Sequence, residues 1–291
     1  MQRQIGFIGL GNIGLPAATN LLRSGCNVVG FDPRPNHSFV AAGGVFVDSI
    51  DRLATKEVLV QSLPSASALV QTVDMLLPLV RPGQVLIDLS SYPLEIKLEQ
   101  AQRLRARGVE MLDCEVSGLP AQVETRRAVL FKAGDRRTVE DVADVFDGLA
   151  ERHFYLGAFG AATNMKLIAN SMVCVHNLMA AEALNLGARV GLDPDQMIEV
   201  LTHSAAGSAT FANKAPLMAR RDFAAGRGPF RHMFGYLQRA QALAAAADAK
   251  TPLLDAIRRV YALAEEQGRH DQDIAAIIEI LDQPGAARVR Q

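Results

Sequence analysis

Up to about residue 155 the chain alternates short, β-rich apolar runs with amphipathic stretches of helical period. "QIGFIG" (4–9), "NVVGF" (27–31), "GVFV" (44–47), "VLVQS" (58–62), "QVLIDLS" (84–90), "EMLDC" (110–114) and "AVLFKAG" (128–134) read as strands. Several are apolar on both faces, as a parallel sheet covered by helices on each side requires. Helical patterns fall between them, at 12–24, 66–77, 93–107 and 138–148. That alternation predicts a doubly wound α/β domain. After residue 158 the β-branched runs end, alanine, leucine and methionine dominate, and a 3.6-residue period persists nearly to the end. "DPDQMIEVL" (193–201) opens a helix there, with Asp193 as N-cap and Pro194 at the first helical position. "ALAAAADA" (242–249) and "PLLDAIRRVYALAEEQG" (252–268) extend the helical reading. The expected architecture is α/β: a Rossmann-type doubly wound sheet over 1–158, followed by an all-α domain over 159–291. One long helix containing Lys166 joins the two.

Composition agrees with that plan and narrows the classes of function. The 291 residues suit two domains, and 49% apolar against 21% charged residues leaves no sign of disorder. A net charge of −1 and a pI near 6.6 provide no field that would recruit nucleic acid or an acidic membrane. The basic run "RLRAR" (103–107) reads as the wet face of a helix. Cys26, Cys114 and Cys174 lie far apart with no C-x-x-C pair, which predicts neither disulfide framework nor zinc site and fits a reducing compartment. The six histidines show no ligand spacing, so no metal is expected. "MQRQIGFIG" runs straight into a strand without a signal-peptide pattern, and no run reaches the roughly 18 uninterrupted apolar residues of a membrane helix. The expectation is a cytoplasmic protein with no membrane or nucleic-acid partner.

"GLGNIG" spans Gly9 to Gly14 and fits G-x-G-x-x-G. The pattern is weak alone; here it follows a strand, opens a helix, and has Asp32 at the end of the second strand, which makes it a dinucleotide-binding loop. Gly9 allows the tight turn, Gly11 lets a pyrophosphate approach the backbone, and Gly14 lets helix pack on strand. Asn12 and Ile13 complete the loop, whose helix end attracts anions. Asp32 would accept hydrogen bonds from ribose hydroxyls and repel a 2′-phosphate, favouring NAD, whereas the nearby Arg34 would suit the phosphate of NADP.

"NMKLIAN" (164–170) places one lysine in a stretch that otherwise reads as buried helix, where a charge is costly unless something holds it. With its flanking segments, it carries a resemblance. "GFIGLGNIGLPAATNLLRSG" (6–25), "DCEVSGLPA" (113–121), "GAFGAATNMKLIAN" (157–170) and "GLDPDQMIEVL" (191–201) resemble motifs of the β-hydroxyacid dehydrogenase family, over nearly the whole chain. The resemblance implies that Lys166 is the catalytic lysine and that Ser117 and Gly118 hold a substrate carboxylate. It likewise implies that Asn170, one helical turn past Lys166, orients substrate. Ser91 would lie near the nicotinamide, and Leu63 and Pro64 would line the cofactor channel. A lysine near its usual pKa of about 10.4 is a poor base at neutral pH, and burial is what would make it a usable one.

The chain also departs from the family pattern. Leu119 and Pro120 follow Ser117-Gly118 where a second glycine is usual, and Pro120 removes a possible N–H donor. Glu115 replaces a common proline; facing inward it would disfavour an acidic substrate, facing outward it would not. Ala169 replaces the first asparagine of a usual pair. Leu237 and Gln238 stand where a lysine–aspartate pair is usual, with Arg231 and Arg239 nearby but out of register. The expected function is hydride transfer between NAD, or NADP, and a small β-hydroxy acid or its semialdehyde, with Lys166 as general acid/base. Alternatives are a reductase of a larger or uncharged carbonyl or imine, and a non-catalytic dinucleotide-binding protein. A homodimer or homotetramer through the helical domain is expected, because its alanine-rich helices are apolar over most of their circumference.

Overall fold

The computed structural model describes residues 3–224 and 228–282. Its contacts divide the chain into two compact units, Met1–Lys166 and Leu167–Gln291. The first is built on eight strands: β1 (Gln4–Ile8), β2 (Asn27–Phe31), β3 (Val45–Val47), β4 (Val58–Gln61), β5 (Val85–Asp88), β6 (Glu110–Ser117), β7 (Val129–Ala133) and β8 (Arg152–Tyr155). They lie in the order β3-β2-β1-β4-β5-β6-β7-β8. The chain runs outward from β1 through β2 to β3, then returns to the other side of β1 with β4. That reversal opens a crevice at the carboxyl ends of β1 and β4, the usual place for a ligand in a doubly wound sheet.

Alternation along β4 shows how the sheet is covered on both faces: Val58 and Val60 join one core cluster, and Leu59 joins the other. The first cluster holds Ala18 and Leu21 of the helix Gly14–Arg23; the second holds Leu69 and Val73 of Ala66–Leu76 and Leu104 of Leu94–Arg105. The sheet is not wholly parallel, as its apolar runs suggested. β6 pairs antiparallel with β7, Ser117 opposite Val129. Only 118–128 connect them, with a short helix Pro120–Glu124 and a left-handed residue at Arg126, and a parallel crossover needs about a dozen residues or more.

The helix Ala161–Arg189 has 29 residues and is long and apolar enough, by length and composition, to cross a membrane. Its residues Cys174, Ala181 and Leu184 instead lie inside the core of the second unit, with Phe230, Leu237 and Tyr261. That unit is helical throughout its described residues, with Pro194–His203, Ala209–Arg220, Phe230–Ala246, Pro252–Glu266 and Ile277–Leu281. Buried polar groups tie it together. Asn177 donates to the Tyr261 hydroxyl at 3.1 Å and to the Ile274 carbonyl at 2.8 Å, and Lys214 pairs with the fully buried Asp273 at 2.6 Å. The long helix begins in the first unit: the sequence placed the division near residue 158, whereas the compact units part after Lys166.

Candidate active site

The glycine-rich loop is shaped by two contacts that exclude a side chain. A Cβ on Gly14 would stand 1.9 Å from the Gly9 carbonyl oxygen, and one on Gly9, whose φ is +87°, would stand 2.3 Å from the Ser62 oxygen. The loop can therefore close only as glycine at both places. Gly11 differs: nothing lies within 4 Å of its Cβ position, and with Asn12 it faces solvent. No side chain caps the helix Gly14–Arg23 at Ile13. A loop open above Gly11 and an uncapped helix end fit the pyrophosphate of a dinucleotide.

The residues around the loop are brought to the same edge of the sheet. Asp32 follows β2, and its carboxylate accepts from the Leu10 N–H at 2.8 Å and from the Arg34 N–H at 2.9 Å. The Arg34 side chain is exposed. Leu63 and the exposed Pro64 follow β4, where the Leu63 N–H donates to Ser90 Oγ at 2.8 Å and the Tyr92 hydroxyl donates to the Leu63 carbonyl at 2.9 Å. Ser91, beside Ser90 after β5, is half-buried, and its hydroxyl donates to Glu115.

At the end of β6, Lys166 meets the strand. Its residue is 8% exposed, and Nζ donates to the Val116 carbonyl at 2.7 Å, one residue before Ser117. Burial pushes the amine below the usual lysine pKa, and Glu115 partly opposes this. Ser117 is half-buried and Gly118 exposed, where a Cβ would crowd Ala128 at 2.8 Å. The Leu119 N–H is taken by Gln122 Oε1 at 2.8 Å, and Pro120 has none, so neither extends the row of backbone donors. Asn170 lies one turn past Lys166 along the helix and belongs to the second unit. It is buried, and its Nδ2 has no hydrogen-bond partner among the described residues. A buried donor of that kind is normally satisfied by something that binds.

Beneath Lys166 lies a cluster of charges that sequence reasoning did not assemble. Lys97 is completely buried on the helix Leu94–Arg105, with Asp113 at 2.7 Å, Asp88 at 3.3 Å and Glu115 at 3.6 Å. Burial alone would weaken its hold on the proton, but the surrounding carboxylates keep its pKa well above the ordinary lysine value. Burial also acts to raise Asp113, yet the Lys97 ammonium and hydrogen bonds from Thr163 hold it below the usual carboxylate range. Burial wins at Asp88, which is raised although Lys97, Gln61 and Ser90 pull the other way. At Glu115 burial pushes the pKa up to about 7, against the pull of Lys97 and Ser91. Glu115, 1% exposed, thus faces inward, the orientation expected to disfavour an acidic substrate, but its carboxylate is engaged by Ser91 and stands 3.6 Å from the Lys97 ammonium, which offsets its charge. One signal was available: Lys97, Gln100, Ala101 and Leu104 follow the i, i+3, i+4, i+7 spacing of a single buried face.

Leu237 and Gln238 lie on the helix Phe230–Ala246, where Leu237 is core and Gln238 lines a polar cavity with Arg231, Arg258, Glu265 and His270. Arg231 is ion-paired with Asp271, and Arg239 donates to the Gly235 carbonyl at 3.2 Å and lies over the Tyr236 ring. Both nearby arginines are thus engaged within their own unit. Among the described residues no cluster of metal ligands occurs.

Comparison with known proteins identifies the family. Residues 4–157 match the model of the NAD-binding domain of 6-phosphogluconate dehydrogenase. Residues 160–281 match that of the NAD-binding of NADP-dependent 3-hydroxyisobutyrate dehydrogenase. The chain is 31% identical to L-threonate dehydrogenase of Cupriavidus necator, covering 99% of this chain and all of that one. The structure of 3-hydroxyisobutyrate dehydrogenase from Salmonella typhimurium superposes with a TM-score of 0.86 at 27% identity, over 96% of this chain and all of that one. A Mycobacterium tuberculosis 3-hydroxyisobutyrate dehydrogenase with L-serine gives 0.86 at 28% identity, over 97% of this chain and all of that one. With one model matching more than half of the chain and a relative matching along its full length, this protein belongs to the β-hydroxyacid dehydrogenase family of NAD(P)-dependent oxidoreductases.

Proposed function

We propose that the protein moves hydride between NAD and a small β-hydroxy acid, or the corresponding semialdehyde, with Lys166 carrying the proton. The observation that carries this reading is the buried Lys166 amine, fixed on the Val116 carbonyl immediately before Ser117 and Gly118. A bound nicotinamide supplies the hydride acceptor or donor. Gly9 to Gly14, Asp32, Leu63, Pro64 and Ser91 would hold it. Asp32 favours NAD: its carboxylate is fixed by two backbone N–H groups at the end of β2, where it meets a ribose and repels a 2′-phosphate. Ser117 and Gly118 hold the substrate carboxylate, and Asn170 offers its unsatisfied Nδ2 to a substrate oxygen.

Lys166 then accepts the hydroxyl proton during oxidation and returns it during reduction. Burial makes this possible by lowering the amine below its ordinary pKa. The names of the relatives, which include an L-threonate dehydrogenase and a hydroxyisobutyrate dehydrogenase with L-serine, support a three- or four-carbon acid as substrate. The test is absorbance of reduced nicotinamide, with NAD and NADP separately, over 3-hydroxyisobutyrate, 3-hydroxypropionate, L-serine, glycerate and L-threonate. Lys166→Ala is expected to lose turnover by about a hundredfold or more, the typical share of a general acid/base. Turnover that survives the substitution removes Lys166 from the mechanism.

A second reading, reduction of a larger or uncharged carbonyl, is favoured by one observation: the Leu119 N–H is consumed by Gln122, which shortens the set of donors available to a carboxylate. Turnover confined to carbonyls without a carboxylate selects it.

A further inference from the structure

Glu115 is the buried titratable group that proton transfer through Lys166 leaves unexplained. It lies on β6, on the same side as Asp113 and Ser117 by the strand's period of two, and is 1% exposed. One carboxylate oxygen, Oε2, accepts from Ser91; the other, Oε1, stands 3.4 Å from Thr163 Oγ1 and 3.6 Å from Lys97 Nζ. Thr163 precedes Lys166 by three residues on one helix, so the two side chains share a face. The Lys166 amine is anchored to the carbonyl of Val116, the residue next to Glu115. The Glu115 charge acts on Lys166 against the effect of burial. We propose that Glu115 is a positioning residue for proton transfer. Ionised, it holds the neighbouring Lys166 as an ammonium; protonated, it releases Lys166 as a free base.

The groups facing Glu115 can be taken one by one. Lys97 comes from the helix Leu94–Arg105, and Asp113 from β6 itself; this close pair at 2.7 Å stays ionised at neutral pH. Asp88 comes from β5, Tyr92 from the segment after it, and Cys114 from β6. Burial pushes the Tyr92 hydroxyl and the Cys114 thiol up, so both stay neutral, and it raises Asp88 as well. Lys166 arrives from the long helix. Burial pushes Glu115 up to about 7 and Lys166 down from the ordinary lysine value, so the two are brought toward each other. Their protons are linked: each group's charge stabilises the other's, so the pair titrates together. In oxidation the substrate hydroxyl proton goes to the Lys166 nitrogen, and the new ammonium is stabilised by the Glu115 carboxylate. In reduction the same N–H bond breaks toward substrate.

The inference rests on Lys166 as the proton carrier, so the experiment reads the two separately. The pH dependence of kcat/KM for hydroxy-acid oxidation is compared in the parent protein and Glu115→Gln. In parallel, the pH dependence of Lys166 labelling by a small amine reagent is followed by peptide mass spectrometry. Removing the opposite charge is expected to lower both midpoints by about one unit or more. Glu115→Asp, which keeps the charge, is expected to return part of the shift, which a merely structural role for Glu115 would not produce. An unchanged labelling midpoint in Glu115→Gln overturns the inference even if Lys166→Ala is inactive. A shifted labelling midpoint with an unchanged rate profile keeps the Glu115–Lys166 link and overturns the role of Lys166 in turnover. Should Glu115→Gln fail to fold, Ser91→Ala serves instead. Losing the donor that favours the carboxylate leaves Glu115 more protonated, so the midpoint moves down again; no movement overturns the inference.

Discussion

Lys97 is the residue on which the buried charge of the α/β unit depends. Its ammonium is shared by three carboxylates, none of which reaches water. Replacing it with methionine keeps most of the side-chain volume and removes the cation, leaving Asp113 without the charge that holds it ionised. Breaking a buried pair in this way costs about 3–5 kcal/mol, and urea unfolding of Lys97→Met at pH 7 is expected to show it. The loss should shrink toward about pH 4. Without Lys97 the folded-state pKa of Asp113 rises from below its unfolded value to above it, and those of Asp88 and Glu115, already raised, rise further, so stability present at low pH is lost as pH rises through them. Single residues of this kind were only partly legible in the sequence. Lys166 stood out because an apolar helix surrounds it and flanking motifs supported it. Lys97 sits amid "LEIKLEQ", where polar neighbours mask the buried face, and its partners lie on two other strands. The orientation of Glu115 had to wait for the fold, since strand period alone does not say which face carries the charges.

At the scale of elements, the glycine-rich loop separates folding from binding. Gly14→Ala would drive a Cβ into the Gly9 carbonyl and is expected to lower the melting temperature and abolish NAD binding together. Gly11→Ala meets no atom of the protein. It is expected to leave the melting temperature unchanged and to weaken NAD binding, measured by titration calorimetry, by about tenfold or more, as when one hydrogen bond to a charged phosphate is lost. An unchanged affinity would mean that the phosphates lie elsewhere. Seven strands were legible because apolar runs of four to seven residues are bounded by turn residues. β8 was not. It is four residues at the edge of the sheet, with Arg152 exposed and Phe154 52% exposed, so it shows no buried pattern to read. β6 runs to Ser117, past the expected end at 114, because its last residues pair with β7 rather than opening a loop.

At the scale of the whole molecule, the two-part plan follows from the change of period after residue 158, and the long helix is the element that makes it. On the part of that helix within the second unit, Ile168, Met172, Met179 and Leu186 are each more than half exposed and recur at intervals of four and seven residues. We expect this stripe to meet a second copy of the chain. Light scattering should give at least a dimer mass, and Met172→Glu with Met179→Glu should reduce it to that of one chain; a monomer in the parent protein would remove the stripe from assembly. The same helix limits how such proteins can be recombined. Thr163 and Lys166 are bound to Asp113 and Val116 of β6, so a chimera joined in the loop before Ala161 would set one parent's helix against the other parent's strand. A seam after Lys166 keeps those contacts from a single parent but cuts inside a continuous helix, one turn before Asn170. The two halves are thus poor candidates for exchange as cassettes.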